Sequence, residues 1–317
     1  MAYFFTEEDV TALLTMPEAV EAVERAFLLL DEGKADNHPR QRVRAGKLKL
    51  HVLPAGSAEL GFVGLKAYTT GPSGARFYFL MFEALSGELV ALMEADSLGQ
   101  MRTGAASGVA TRFMTSDDAK RVGIYGTGWQ ARAQLEGVAE VRKLDLVRAY
   151  GRDADRRTSF CRDMASRLGI PVEPCDAADE VPDEADIVIT ATNAKEPVLK
   201  GEWLRAGQHV NAIGSNYLKR REIDELAVMR ASFIATDSRN QAKMECGDLS
   251  AVVEAGKLSW DDVHELAEIV TGQTPVRQSA DDITLFESQG LAIEDVAVAK
   301  IVFEKGVQSG RGRKLDI

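Results

Sequence analysis

Val122-Gly-Ile-Tyr-Gly126-Thr-Gly128-Trp-Gln-Ala131 is the stretch on which the fold turns. A short apolar run leads into G-x-G-x-x-A, and a helical pattern follows. Gly126 permits the tight turn out of a strand. Gly128 leaves room for a pyrophosphate to approach the backbone, and Ala131 lets the next helix pack closely on the strand. The exposed N–H groups of that helix favour an anion. Gly126, Thr127, Gly128, Trp129 and Gln130 are therefore the expected dinucleotide-binding residues. A glycine triplet alone is weak evidence, so the surrounding pattern has to decide.

Five further apolar runs follow, at 144–150, 170–175, 186–192, 208–214 and 232–236, separated by helices or helix-length connections. That alternation predicts an α/β domain with a doubly wound parallel sheet. Ligands lie at the carboxyl ends of such strands. The second run ends in Arg148-Ala-Tyr-Gly151-Arg152-Asp153. Gly151 stands where an acidic residue would bond a ribose 2′-hydroxyl, and the Arg152 guanidinium suits a 2′-phosphate. NADP(H) is favoured, with NAD(H) open if Asp153 serves the ribose in a shifted register. The fourth and fifth run ends, Thr190-Ala-Thr192-Asn193 and Ala212-Ile213-Gly214-Ser-Asn216, add Thr192, Ile213 and Gly214 to the cofactor set.

The chain ahead of this region reads differently. Thr6-Glu-Glu-Asp9 forms a capping box. Ala19, Val20, Val23, Phe27 and Leu30 recur at helical spacing after Pro17. Strands are predicted at 47–53 and 62–68, a hairpin at 77–85 and 88–93 around Ser86-Gly87, and a small-residue helix at 104–114. A helix at 293–305 is expected to return to this first domain. The predicted domains are thus 1–115 plus 290–317, and 116–289. The basic tail 309–317 is expected to be mobile. Arg42, Lys66 and Arg102 stand out as cations, and Arg102 just ahead of a helix start makes an anion site.

With 317 residues, two domains are expected. Lys and Arg number 38 and Asp and Glu 49, a net charge of −11, which argues against binding nucleic acid or anionic membranes. Cys161, Cys175 and Cys246 are odd in number, far apart and without a C-x-x-C. They read as free thiols in a reducing cytoplasm. His38, His51, His209 and His264 have no metal-ligand spacing, so no metal is expected. No run of 18 apolar residues and no secretory signal is visible, and a cytoplasmic location is expected.

Taken in order, Arg42, Lys66, Gly99-Gln-Met-Arg102-Thr103-Gly-Ala-Ala-Ser107, the glycine loop, Ile213-Gly-Ser-Asn216, Asp237-Ser, Glu245-Cys-Gly-Asp248 and Gly290-Leu-Ala-Ile-Glu-Asp295 form a familiar series. It resembles the ornithine cyclodeaminase/μ-crystallin family over nearly the whole chain. The resemblance implies a Rossmann domain inserted into a discontinuous α+β substrate-binding and dimerisation domain, and a homodimer. It also implies a small imino or amino acid substrate whose carbon beside the carboxylate exchanges hydride with a nicotinamide. By position, Arg42, Lys66 and Arg102 match the family's carboxylate-binding cations. Thr103 matches a residue close to the cofactor phosphates, and Gly290 is placed with the cofactor set.

One departure matters. Ornithine cyclodeaminases carry Gly-Gly-Asp after the fifth strand, where this chain has Gly214-Ser-Asn216. An amide cannot take a proton as a carboxylate does. The expected activity is therefore NAD(P)H-dependent reduction of a C=N bond beside a carboxylate, or its reverse. Arg42 and Arg102 would grip the carboxylate, Lys66 would complete the clamp or act as general acid, and Asn216 would orient substrate or nicotinamide. The alternatives are an alanine-type amino-acid dehydrogenase, a cyclodeaminase, and a non-catalytic NADPH binder. Retention of three cations disfavours the last.

Overall fold

The computed structural model describes residues 1–316. The chain separates into two compact units, Met1–Ala105 with the residues from Gly290 on, and Ala106–Gln289. The first boundary was expected at 115/116. The helix Asp96–Met114 runs uninterrupted through this region, so the division falls inside an element and no linker marks it.

The first unit is built on an eight-stranded mixed sheet. It contains β1 (Ala2–Phe5), β2 (Asp36–Asn37), β3 (Gln41–Ala45), β4 (Leu48–Ser57), β5 (Phe62–Gly71), β6 (Gly74–Glu83) and β7 (Leu89–Glu94). β4, β5, β6 and β7 pair antiparallel in sequence order, and β1 joins β7 in parallel. The last strand, Arg313–Leu315, pairs antiparallel with β1. The tail expected to be mobile is thus tied to a sheet edge through three of its residues. Ile317 lies outside the described residues.

Alternation along the long strands gives the sheet two unlike faces. His51, Leu53 and Ala55 of β4 and Phe62, Lys66 and Tyr68 of β5 are buried on one face. There the helix Ala292–Ser309 lies along β4 and β5 and packs against the helix Met16–Asp31. On the other face Val43, Leu50, Val63 and Tyr78 are exposed, and Leu65 lies opposite Leu80, both half-buried. Among the described residues, that apolar face is left partly open to solvent.

The second unit holds β8 (Arg121–Tyr125), β9 (Leu146–Tyr150), β10 (Val172–Pro174), β11 (Ile187–Thr190), β12 (His209–Ala212), β13 (Phe233–Thr236), β14 (Val263–Glu265) and β15 (Thr284–Glu287). Every pairing in this sheet is parallel, in the order β10-β9-β8-β11-β12-β15-β13-β14. The central strands β8 and β11 are buried toward both sides, as a sheet covered on both faces requires. Val122, Ile124, Val147, Ala149, Ile187 and Ile189 belong to one core; Tyr125, Val188, Val210, Ala212 and Leu285 belong to the other. The doubly wound architecture is the one the glycine loop and its runs imply. Two strands were not expected. β15 inserts between β12 and β13, and β14 closes the edge. Both are three or four residues long and end on a glutamate, so neither stands out as an apolar run.

Candidate active site

In the second unit, Gly126 leaves β8 with φ +105°, and a Cβ there would sit 2.3 Å from the Ala191 carbonyl oxygen. Only glycine fits that turn. Gly128 caps the helix Trp129–Val141, and the space a Cβ would occupy there has no heavy atom within 4 Å. Ala131 is fully buried against the sheet. The loop thus has a close turn, an open cradle and a helix N-terminus in sequence, and it fits a dinucleotide pyrophosphate. Trp129, half exposed, and Gln130 open the helix.

Gly151 lies at the end of β9, where a Cβ would be 2.7 Å from Thr127 Oγ1. A side chain at 151 would have to displace the Thr127 side chain of the glycine loop. Asp153 caps the helix Ala154–Leu168, its Oδ1 accepting the Arg156 amide at 3.0 Å. Arg152 is exposed between them. Arg157, not anticipated, organises this turn. It donates to the Gly151 carbonyl at 2.9 Å and to Asp176 at 3.0 Å, and lies over the Tyr150 ring.

The ends of β11 and β12 are joined through a residue that sequence reasoning missed. Glu222 is buried, and its carboxylate accepts the Thr190 hydroxyl, the Thr192 amide and hydroxyl, and the Gly214 amide. It comes from Arg220-Arg221-Glu222-Ile223-Asp224, a charged run that reads as a solvated loop. Ile213 and Asn216 lie on the same connection, both partly buried.

In the first unit, Lys66 is 3% exposed and donates to Asp295 Oδ1 at 2.9 Å. Arg102 donates to the same oxygen through Nε at 3.3 Å and to Glu294 Oε2 through Nη1 at 3.0 Å. Asp295 Oδ2, wholly buried, has no hydrogen-bond partner among the described residues. Burial pulls the Lys66 ammonium down to about 8, helped by the Arg102 and Arg40 charges and opposed by Asp295. Arg40 was not anticipated. It is 3% exposed and close enough to act on both Lys66 and His51. The alternation Arg40, Arg42, Arg44 was the available signal.

Arg42 donates through Nε to His51 Nδ1 at 3.2 Å. His51 is stacked on Tyr68 and is held neutral, pushed down to about 4 by burial and the neighbouring Arg42 charge. Gly290, expected with the cofactor residues, sits at φ +78° against Arg102, where a Cβ would be 2.2 Å from Nη1. Its bareness makes room for the guanidinium. Thr103 donates its hydroxyl to the Gly99 carbonyl one turn back at 2.7 Å.

Three buried groups of the second unit, Cys246, Asp248 and Glu287, bring possible ligand atoms within 4.8 Å of one another. One hydrogen bond joins two of them, and Glu287 Oε1 is left without a partner among the described residues. Cys246 donates to Glu287, and Asp248 Oδ1 accepts the Glu222 and Ile223 amides. Burial raises all three, Asp248 to about 7, and the neighbouring carboxylates raise them further.

Fold and site together define an α/β oxidoreductase that uses a nicotinamide dinucleotide. The model of the ornithine cyclodeaminase/mu-crystallin family matches residues 2–310, and the chain belongs to that family. A Delta(1)-pyrroline-2-carboxylate reductase of Bacillus cereus is 35% identical over 84% of this chain and 84% of its own length. The Thermococcus litoralis Delta(1)-pyrroline-2-carboxylate reductase, solved with NADH and L-proline, superposes with a TM-score of 0.95. It is 34% identical and covers 99% of this chain and 100% of its own. An archaeal alanine dehydrogenase dimer with bound NAD gives 0.93 at 32% identity, over 100% of this chain and 99% of its own.

Proposed function

We propose that this chain is an NADP(H)-preferring reductase of small imino acids, with a cyclic imine such as pyrroline-2-carboxylate as the leading substrate. The observation that carries the reading is the buried pair Lys66 and Arg102 on Asp295 Oδ1, with the buried Arg40 charge close enough to act on Lys66. Three cations offer a carboxylate its charge-assisted hydrogen bonds. Fixing the substrate carboxylate in this way orients the adjacent C=N carbon, and positioning of that kind is worth several kcal/mol. The bound dinucleotide supplies the hydride. As the carbon gains that hydride, the nitrogen must gain a proton, and Lys66 is the donor. A lysine held near neutrality gives up a proton readily and regains it from solvent. Asp295 keeps the ammonium in place. Arg42 adds positive charge at the same sheet face, and Asn216 serves as an amide that orients without exchanging protons.

The cofactor preference rests on two findings. A Cβ at Gly151 would meet the Thr127 hydroxyl at 2.7 Å, and Asp153 Oδ1 caps the following helix. Arg152 remains as the group suited to a 2′-phosphate. The uncovered apolar face of β3–β6 supports assembly as a homodimer, with a second copy covering Val43, Leu50, Val63 and Tyr78. All three cysteines are buried free thiols, in keeping with a cytoplasmic enzyme. No helix among the described residues is long and apolar enough to cross a membrane. Oxidation of L-alanine is the second reading, favoured by the likeness to the archaeal dehydrogenase. Parallel assays decide. Pyrroline-2-carboxylate with NADPH should be consumed far faster than L-alanine is oxidised with NADP+, and the reverse order would replace the first reading with the second.

A further inference from the structure

We propose that Glu222 is a positioning residue for the dinucleotide, acting as one staple across two strand ends. The inference rests on the reading that the Thr192 and Gly214 loops face the cofactor. Glu222 Oε1 accepts the Thr192 amide at 2.6 Å and the Thr192 hydroxyl. Oε2 accepts the Thr190 hydroxyl at 2.9 Å and the Gly214 amide at 2.6 Å. Thr190 and Thr192 end β11, and Gly214 follows β12, so a single carboxylate ties adjacent parallel strands at their carboxyl ends. These are the ends where a doubly wound sheet binds its ligand.

The staple is itself fastened. The amides of Glu222 and Ile223 donate to Asp248 Oδ1 at 2.8 and 3.0 Å. The Glu222 carbonyl accepts the Val198 and Leu199 amides at 2.8 and 3.1 Å. A Cβ at position 214 would lie 2.5 Å from each carboxylate oxygen and 2.3 Å from the Thr192 carbonyl oxygen. Glycine at 214 is therefore the residue that lets the carboxylate reach both loops. With four donors already on its two oxygens, Glu222 has no capacity left for proton transfer or a ligand of its own. Its effect on the reaction has to pass through Thr192 and Gly214. Alone, those loops would be free to separate, and a surface set for the dinucleotide would have to be reassembled at each binding event.

The test uses the full-length enzyme and NADPH binding measured directly by quenching of Trp129-region fluorescence, with melting temperature as the check on folding. Glu222→Gln puts an amide where two donors converge, and Kd for NADPH is expected to rise at least tenfold while KM for the imine stays within twofold. Thr190→Val is the milder variant. Thr190 is wholly buried and cannot touch a ligand, so any change in Kd must travel through the carboxylate. A rise of about threefold is expected there, the equivalent of one neutral hydrogen bond. A lowered melting temperature with unchanged Kd in the folded variants would overturn the proposal, leaving Glu222 a purely structural residue. Gly128→Val fills the cradle and serves as the separate control. If NADPH still bound to that variant, the dinucleotide reading itself would fail, whatever Glu222 does.

Discussion

Lys66 gives the account its sharpest quantitative consequence. Its ammonium is held at about 8 in the free protein, low because it is buried and faces Arg102 and Arg40, and kept from falling further by Asp295 at 2.9 Å. The kcat/KM of reduction reports the free enzyme's essential acid. It should be flat below pH 7, bend near 8 and then fall tenfold per pH unit. The reverse oxidation needs the neutral amine and should rise through the same pH. Asp295→Asn keeps the shape and removes the opposing charge. A carboxylate this close moves a neighbouring pKa by about 1–3 units. The bend should then move down by at least about one unit. At pH 7.5 a bend at about 7 leaves roughly a threefold loss, and one at about 6 roughly twenty-five-fold. Lowering the assay to pH 5.5 should restore most of that loss. The assay is initial-rate loss of NADPH absorbance across pH 5.5–9.5, with pyrroline-2-carboxylate well below KM. Lys66→Met is the control, because a bend that survives in it belongs to the substrate. An unshifted bend in Asp295→Asn would refute the assignment of Lys66 as proton donor.

Other outcomes follow from the same geometry. Arg152→Ala should raise KM for NADPH by tenfold or more and leave KM for NADH nearly unchanged; equal effects on both would remove Arg152 from the 2′-phosphate. Lys66→Met should bind NADPH normally in a fluorescence titration yet turn over orders of magnitude more slowly. Asp248, raised to about 7 from 3.8 by burial and then by the Glu222 charge, makes stability fall with rising pH. The folded state keeps a proton that the unfolded chain has already lost between about 4 and 7, so stability from this group is greatest below pH 4, and the loss across the window amounts to a few kcal/mol. Urea unfolding at pH 5 and 8 should show it, and Asp248→Asn should flatten the slope. Finally, Val63→Lys places a charge on the uncovered apolar sheet face. Light scattering should show a dimer for the unaltered chain and a monomer for this variant.

The glycine loop and its strand runs are legible in sequence because they depend on local chemistry. Gly126 must adopt a positive φ, and each buried parallel strand must be apolar on both sides. β15 escaped because Thr284-Leu-Phe-Glu287 is brief and ends on a glutamate that is buried only by segments distant in sequence. Its place between β12 and β13 is decided by contacts far along the chain. Glu222 and Arg157 escaped for a related reason. Both sit in charged runs that look solvated, and burial is conferred on them by segments distant in sequence. The cations proposed to hold the substrate were half visible. Lys66 interrupts an apolar strand and Arg102 precedes a small-residue run, so each announces a burial that needs explaining. Arg40 lies one residue ahead of β3, where alternation alone cannot say which arginine turns inward. The structure buries Arg40 near Lys66 and sets Arg42 against His51. Asp295 lies in a block whose importance was plain from its resemblance, but its role as the partner of Lys66 required the fold.

The central claim is tested most directly by mixing the purified protein with pyrroline-2-carboxylate and following the loss of reduced cofactor absorbance, NADPH beside NADH. Rapid consumption with both cofactors and a clear preference for NADPH, with L-proline as product, is the expected result. No consumption with either cofactor, while L-alanine or ornithine is turned over, would contradict it.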